Sequence, residues 1–178
     1  LTLIAIAIMA WSAANILHEV VGHAGSAAVL GIPVRAVSTT TMYIEWNQIR
    51  TSTQNQIIHI GGTAVNLVTG AIALGFLASG KINNSALRYF LWLFSTCSFT
   101  LVWMNMVSNG LIGGGDFSEI IRDVENPETW KAVILGIGVV LTITGYILPL
   151  RFFLPDMMGH RGALLKLTAV PVLTLIVV

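Results

Sequence analysis

Charged residues are scarce in this chain. Only 10% of its 178 residues are Asp, Glu, Lys or Arg, 55% are hydrophobic, and the mean hydropathy is +0.82. A typical soluble domain carries about 25% charged residues. The net charge of +1 provides no basic surface for nucleic acid, so we expect no nucleic-acid partner. The composition predicts an integral, multi-pass membrane protein in contact with lipid, and it does not indicate which membrane.

Cysteine is almost absent as well. Cys97 is the one cysteine in the sequence, and it lies in an apolar stretch. A single cysteine excludes an internal disulfide and a zinc site built from several thiolates. We therefore predict that Cys97 is a small buried apolar side chain.

Hydropathy divides the chain into five apolar spans of about the length that a transmembrane helix needs. They cover approximately residues 1–30, 56–77, 86–107 and 132–154, and a last span from residue 164 to the end. This pattern predicts an all-α polytopic membrane protein, with about five transmembrane helices in one domain over residues 1–178. Because the chain begins at Leu1 and ends inside an apolar run, we expect it to be a fragment of a longer protein.

Two connections have a composition of their own. Residues 34–46 are rich in β-branched and aromatic side chains with partial alternation, which predicts one or two short strands between the first two spans. Residues 110–128 contain three consecutive glycines followed by five acidic residues. This second segment predicts a break in the membrane followed by a short polar helix.

The first apolar span contains the sequence His18-Glu19-Val20-Val21-Gly22-His23, in a run otherwise free of charge. A carboxylate and two imidazoles are costly to bury in hydrocarbon unless a partner compensates them. The most direct compensation is a metal ion or a polar active site. The motif therefore indicates chemistry within the membrane.

These residues resemble a known family. Residues 18–24 resemble the H-E-x-G-H-A signature of the site-2 proteases, the intramembrane zinc metalloproteases, with one additional residue. Residues 61–66 resemble that family's A-G-P-x-x-N helix start, with Thr63 in the proline position. Asn105 and the following residues 113–116 resemble the N-x-x-P to D-G region. The β-rich insert also has a counterpart, so the resemblance covers residues 10–125, and we expect additional helices over 130–178.

The resemblance implies a function and a set of roles. The family hydrolyses peptide bonds of membrane-embedded or membrane-proximal substrates with one zinc ion. Carried over residue by residue, the zinc ligands are His18, His23 and Asp116, and Glu19 is the general base that takes a proton from the attacking water. Asn66 and Asn105 are then polar residues that support the substrate. A transmembrane peptide substrate is the implied partner.

The additional residue in the motif leaves alternatives open. Residues five apart point about 140° away from each other in an α-helix, so a regular helix does not bring His18 and His23 together. A π-bulge restores a shared face, and Gly22 favours such a distortion. Alternatively, His18 binds a metal with His59 or His160 and His23 is structural. The third alternative is that the metal site has been lost.

Structural roles compete with several of these functional ones. Asp116 could be the N-cap of a helix over Phe117–Val124, with Glu119 completing a partial capping box, and the family-like spacing from Asn105 favours residue 113 as the ligand position. Asn66 could form an interhelical hydrogen bond. His59 and His160 could be interface or loop residues. The glycines at 22, 25, 61 and 62 could serve close helix packing, an interpretation that suits Gly25 best.

Two functions of different classes follow from the sequence. The first is an intramembrane zinc metalloprotease. The second is a catalytically inactive membrane subunit or scaffold that retains the fold and packs against partner transmembrane helices. A transporter or proton path through the same polar residues is a third, weaker hypothesis.

Overall fold

The computed structural model describes residues 2–153. Its helices are α1 (Thr2–Ile16), a π-helix (Leu17–Ala24), α2 (Gly25–Val29), α3 (Ser52–Ala78), α4 (Ser85–Ile112), α5 (Asp116–Ile121) and α6 (Pro127–Phe153). The first three form one continuous helical rod over Thr2–Val29. This rod, α3, α4 and α6 are each long and apolar enough to cross a membrane. The described part of the chain is thus mostly helical, and the fifth span expected from residue 164 lies outside it.

The helices begin and end at recognisable signals. Thr51 caps α3, and its side chain accepts a hydrogen bond from the Gln54 backbone N–H at 3.1 Å. Asn84 caps α4 in the same way through the Leu87 N–H at 2.9 Å. Helix α4 ends at Gly113, which adopts the left-handed conformation with φ +69°. These are the residue types that favour helix starts and stops.

The insert between the rod and α3 is a small β-hairpin, as the sequence predicts. Strand β1 (Val34–Val37) pairs antiparallel with β2 (Met42–Ile44), and a short 3-10 helix (Trp46–Gln48) follows. Ile44 is buried with Ala27, Ile32 and Ile58, which anchors the hairpin to α2 and the start of α3.

The main apolar core lies between the rod and α4. One face of α1 carries alanines at 7, 10 and 14, the spacing of residues on one side of an α-helix. These small side chains leave room for bulky residues of α4, among them Tyr89, Trp92 and Phe94. Cys97 belongs to the same cluster and is buried, as predicted. This packing fixes the rod against the bundle just below the polar motif.

A candidate metal centre

The His-Glu motif is not α-helical. Leu17–Ala24 form a π-helix, and the Gly25 backbone N–H donates to the carbonyl of Val20, five residues earlier. The wider turn brings residues five apart onto one face, so that the rings of His18 and His23 lie 4.5 Å apart between centroids. Both side chains are buried. Of the alternatives left open by the sequence, the structure thus has the π distortion, which brings His18 and His23 together despite their spacing of five.

The π-helix packs directly on the backbone of α3. A Cβ added at Gly22 would lie 2.7 Å from the Gly62 nitrogen and 2.8 Å from the Gly61 carbonyl oxygen. Gly22 is therefore required for close packing, which is one of the two roles that the sequence interpretation gave it, beside permitting the distortion. A Cβ at Gly25 would meet its nearest atom at 3.6 Å, an ordinary contact. Close packing is thus the role of Gly22, Gly61 and Gly62, and the assignment of that role to Gly25 is wrong.

Three side chains meet at the centre of this contact. His18 Nε2 lies 3.0 Å from His23 Nε2 and 3.1 Å from Asp116 Oδ2, and His23 Nε2 lies 3.3 Å from Asp116 Oδ1. In a tetrahedral zinc site with ligand bonds of about 2.0–2.1 Å, the ligand atoms lie about 3.3 Å from one another. The donor atoms are therefore already at the spacing of a zinc ligand set.

The protonation state of His23 suits metal binding. Its Nδ1 lies 2.7 Å from the backbone carbonyl of Ile58, which can only accept a hydrogen bond. Nδ1 therefore carries a proton, so Nε2 is the ring nitrogen that faces His18 and Asp116: it donates to Asp116 while it is protonated and offers a lone pair to a metal ion once that proton is released. Metal-ligating histidines commonly donate their second N–H to a backbone carbonyl in this way.

Asn66 contacts the other histidine from α3. Its side-chain amide lies 3.2 Å from His18 Nδ1, and the residue is fully buried. When the amide presents its oxygen, it accepts a hydrogen bond from Nδ1 and leaves Nε2 as the ring nitrogen that faces His23 and Asp116. Asn66 thus orients the imidazole by a contact between helices.

Asp116 is the first residue of α5, and its backbone and side chain are both bonded to α4. Asn105 Oδ1 accepts from the Asp116 backbone N–H at 2.9 Å, and Asn105 Nδ2 donates to Oδ2 at 3.1 Å. Gly115, with φ +81°, makes the turn that brings the two residues together, and a Cβ there would overlap Asn105 Oδ1. The turn explains how Asp116, and not residue 113, reaches the site.

The capping role considered for Asp116 is wrong. Helix α5 spans Asp116–Ile121, not 117–124, and its N-cap is Gly115, with no side-chain cap hydrogen bond among the described residues. The carboxylate instead faces the three histidines. Burial raises the pKa of the Asp116 carboxyl, but hydrogen bonds from His18, His23 and His59 outweigh that effect and hold the pKa well below its usual value. Asp116 is therefore an anion at neutral pH, as a metal ligand must be.

Glu19 lies beside this group and is half-buried. A carboxylate oxygen of Glu19 and ring nitrogens of His18 and His23 lie within 4.8 Å of one another. The Glu19 carboxylate is thus close enough to the two histidines to share one metal ion or solvent site with them. The structure thus brings all six residues named from the sequence into one polar cluster: His18, Glu19, His23, Asn66, Asn105 and Asp116.

His59 is a member of the cluster to which the sequence gave no definite role. Its Nδ1 lies 3.1 Å from Asp116 Oδ1, and the residue is 9% exposed. The signal was present in the spacing, because His59 lies seven residues before Asn66 and shares its helix face. His160, the other alternative ligand, lies outside the described residues.

Models of known families, curated proteins and solved structures gave no match to this chain.

Proposed function

We propose that this chain is a multi-pass membrane protein with a zinc-dependent peptidase centre that hydrolyses membrane-embedded or membrane-proximal peptides. The observation that carries the proposal is the spacing of 3.0 to 3.3 Å among donor atoms of His18, His23 and Asp116. Four helices long and apolar enough to cross a membrane support the membrane location. The motif resemblance supplies the reaction type.

The residues present fit a zinc ion. The donor set is two imidazoles and one carboxylate, which is a common composition for catalytic zinc sites with three protein ligands and one open position. His18 Nε2, His23 Nε2 and the Asp116 carboxylate would hold the ion. A zinc ion in such a site lowers the pKa of its bound water and polarises a peptide carbonyl.

The protein's own residues have separate tasks in this chemistry. The Glu19 carboxylate accepts a proton from the attacking water and delivers it to the leaving amine nitrogen. The Ile58 carbonyl and Asn66 fix the two imidazoles by hydrogen bonds to their Nδ1 atoms. Asn105 fixes the carboxylate of Asp116 from the side of α4. The apolar helices around the cluster limit the access of bulk water.

Metal analysis of three purified proteins tests the proposal. We expect about one zinc per wild-type chain by elemental mass spectrometry, retention of zinc in Glu19→Gln, and its loss in His23→Ala. The same three proteins are then incubated in detergent with a panel of single-span transmembrane peptides, and the products are analysed by mass spectrometry. Only the wild type should generate cleavage products, and zinc-loaded wild type that cleaves no peptide contradicts the peptidase assignment.

A second candidate function has an observation of its own. The same polar groups hydrogen bond to one another and to the backbone, and these bonds tie the π-helix to α3 and to Asp116. Such a cluster can act as a structural link between helices in a non-catalytic subunit that packs against partner transmembrane helices. Wild-type protein without zinc after metal-replete purification favours this scaffold role over the peptidase.

A further inference from the structure

We infer that His59 is a positioning residue of the metal centre, which holds the Asp116 carboxylate in its ligating orientation. This inference rests on the proposed metal centre. His59 is not part of the His-Glu motif, and none of the three motifs that carry the resemblance includes it. Its role follows from two contacts, a hydrogen bond to Asp116 and ring stacking on Trp46.

The first contact is with the third ligand. Asp116 Oδ2 faces His18 and Asn105, and Oδ1 faces His23 and His59. Each oxygen of the Asp116 carboxylate therefore contacts one histidine of the proposed ligand set, and one residue that is not a ligand. The outer donors are Asn105 Nδ2 at 3.1 Å and His59 Nδ1 at 3.1 Å. With both outer donors, the carboxylate is fixed against rotation about its Cβ–Cγ bond.

Removal of one outer donor releases that rotation. Without the hydrogen bond from His59, only Asn105 would hold the carboxylate from outside the ligand set, through Oδ2. Oδ1 could then rotate away from His23. The carboxylate would have to be ordered again each time a metal ion binds. Hydrogen-bond partners behind metal ligands typically contribute about 10- to 100-fold to metal affinity.

The second contact holds His59 itself. The ring of Trp46 stacks on the imidazole with 6.0 Å between centroids and 18° between planes. Trp46 belongs to the 3-10 helix that follows β2, so the β-hairpin insert packs against the ring that orients Asp116. His59 is anchored on α3 between these neighbours, and its ring has little freedom to leave the carboxylate.

Two substitutions separate the hydrogen bond from the packing. His59→Phe retains an aromatic ring against Trp46 and removes the donor to Asp116. His59→Asn removes the ring but can present an amide N–H near the position of Nδ1. Zn²⁺ affinity is measured for the full chain in detergent by competition with a chromophoric chelator, and Co²⁺ replaces Zn²⁺ for visible spectra. Circular dichroism and gel filtration establish that each variant is folded.

A positioning role predicts a specific pattern. We expect His59→Phe to bind Zn²⁺ about 10- to 100-fold more weakly than the wild type, and His59→Asn to recover most of that loss. The Co²⁺ spectra of wild type and His59→Asn should match, because the ligand set is unchanged. This combination would not arise from a merely structural ring, which Phe would replace better than Asn.

Other outcomes overturn the inference in distinguishable ways. Equal Zn²⁺ affinity in His59→Phe and wild type shows that the contact with Asp116 does not support the metal. A changed Co²⁺ spectrum in His59→Asn shows that His59 is a direct ligand and not a positioning residue. Wild type that binds no Zn²⁺ overturns the metal centre of the proposed function, and this inference with it.

Discussion

A single methyl group at Gly22 should disable the proposed metal centre. In Gly22→Ala, the new Cβ would lie 2.7 Å from the Gly62 nitrogen and 2.8 Å from the Gly61 carbonyl oxygen. Ordinary contacts of a Cβ with such atoms are at least about 3.4 Å, and the opposing atoms are backbone, which cannot rotate away. The π-helix must therefore move away from α3 by most of an ångström.

The consequences of that movement can be estimated from the site. The bond of 2.7 Å from His23 Nδ1 to the Ile58 carbonyl crosses the same contact, so a shift of this size breaks it. Overpacking of this kind typically costs about 1–3 kcal/mol of stability. Metal–ligand distances normally lie within about 0.2 Å of their ideal values, so a ligand moved by most of an ångström should no longer bind zinc even where the fold survives.

Gly25→Ala is the matched control. Gly25 lies one residue after the π-helix, and a Cβ there would meet its nearest atom at 3.6 Å. Alanine is favoured over glycine inside a helix by about 0.5–1 kcal/mol, so this variant should be at least as stable as the wild type. Zinc content by elemental mass spectrometry and thermal unfolding in detergent are measured on both variants. Full zinc content in Gly22→Ala, with unfolding like that of Gly25→Ala, would refute the packing argument.

Three further perturbations test other parts of the site. In Gly62→Ala the Cβ would lie 2.6 Å from His23 Nε2, so the imidazole must turn, and zinc affinity should fall more than stability does in denaturation assays. Asn105→Leu removes both hydrogen bonds to Asp116 and should weaken zinc binding about 10- to 100-fold in a competition titration. Chelation of the metal should leave the far-ultraviolet circular dichroism unchanged, because the ligands hydrogen bond to one another. The melting temperature should nevertheless fall, since a ligand at 1,000 times its dissociation constant stabilises by about 4 kcal/mol. A chelated protein that unfolds at room temperature would contradict this expectation.

The positions of the apolar helices could be predicted from the sequence because hydropathy reports them directly. Their ends could not be placed as well. Helix α3 begins at Ser52, four residues before the predicted span, and α4 continues to Ile112, five residues beyond it. The added turn of α3, residues 52–55, is polar, and the side chain of Thr51 caps it without any apolar signal. The added turn of α4 begins with Ser108, Asn109 and Gly110, which lower the local hydropathy although the helix continues. Hydropathy identifies the apolar segment of a helix and does not identify the residue at which the helix ends.

The π-helix shows what local sequence can and cannot specify. The spacing of His18 and His23 requires a distortion if both bind one ion, and a π-bulge is one of the three alternatives that the sequence leaves open. Its location against α3 could not be derived, because it depends on the contact of Gly22 with Gly61 and Gly62, which are about forty residues later. A small residue in a helix indicates close approach only once the opposing helix is known.

At Asp116, the local preference of aspartate for a helix N-cap competes with tertiary contacts to distant histidines. An aspartate after three glycines and before an apolar turn favours an N-cap, and the sequence interpretation gave that role equal weight with ligation. The structure assigns the cap to Gly115 and turns the carboxylate toward the cluster. The contacts with His18 and His59 bridge 98 and 57 residues of sequence, so no short pattern around Asp116 contains them.

We propose that His18, His23 and Asp116 hold one zinc ion. X-ray absorption at the zinc edge tests it most directly on the purified wild-type protein in detergent. We expect a shell of nitrogen and oxygen ligands at about 2.0–2.1 Å, with the outer-shell scattering of two imidazoles. Absence of protein-bound zinc, or a shell without imidazole scattering, would contradict it.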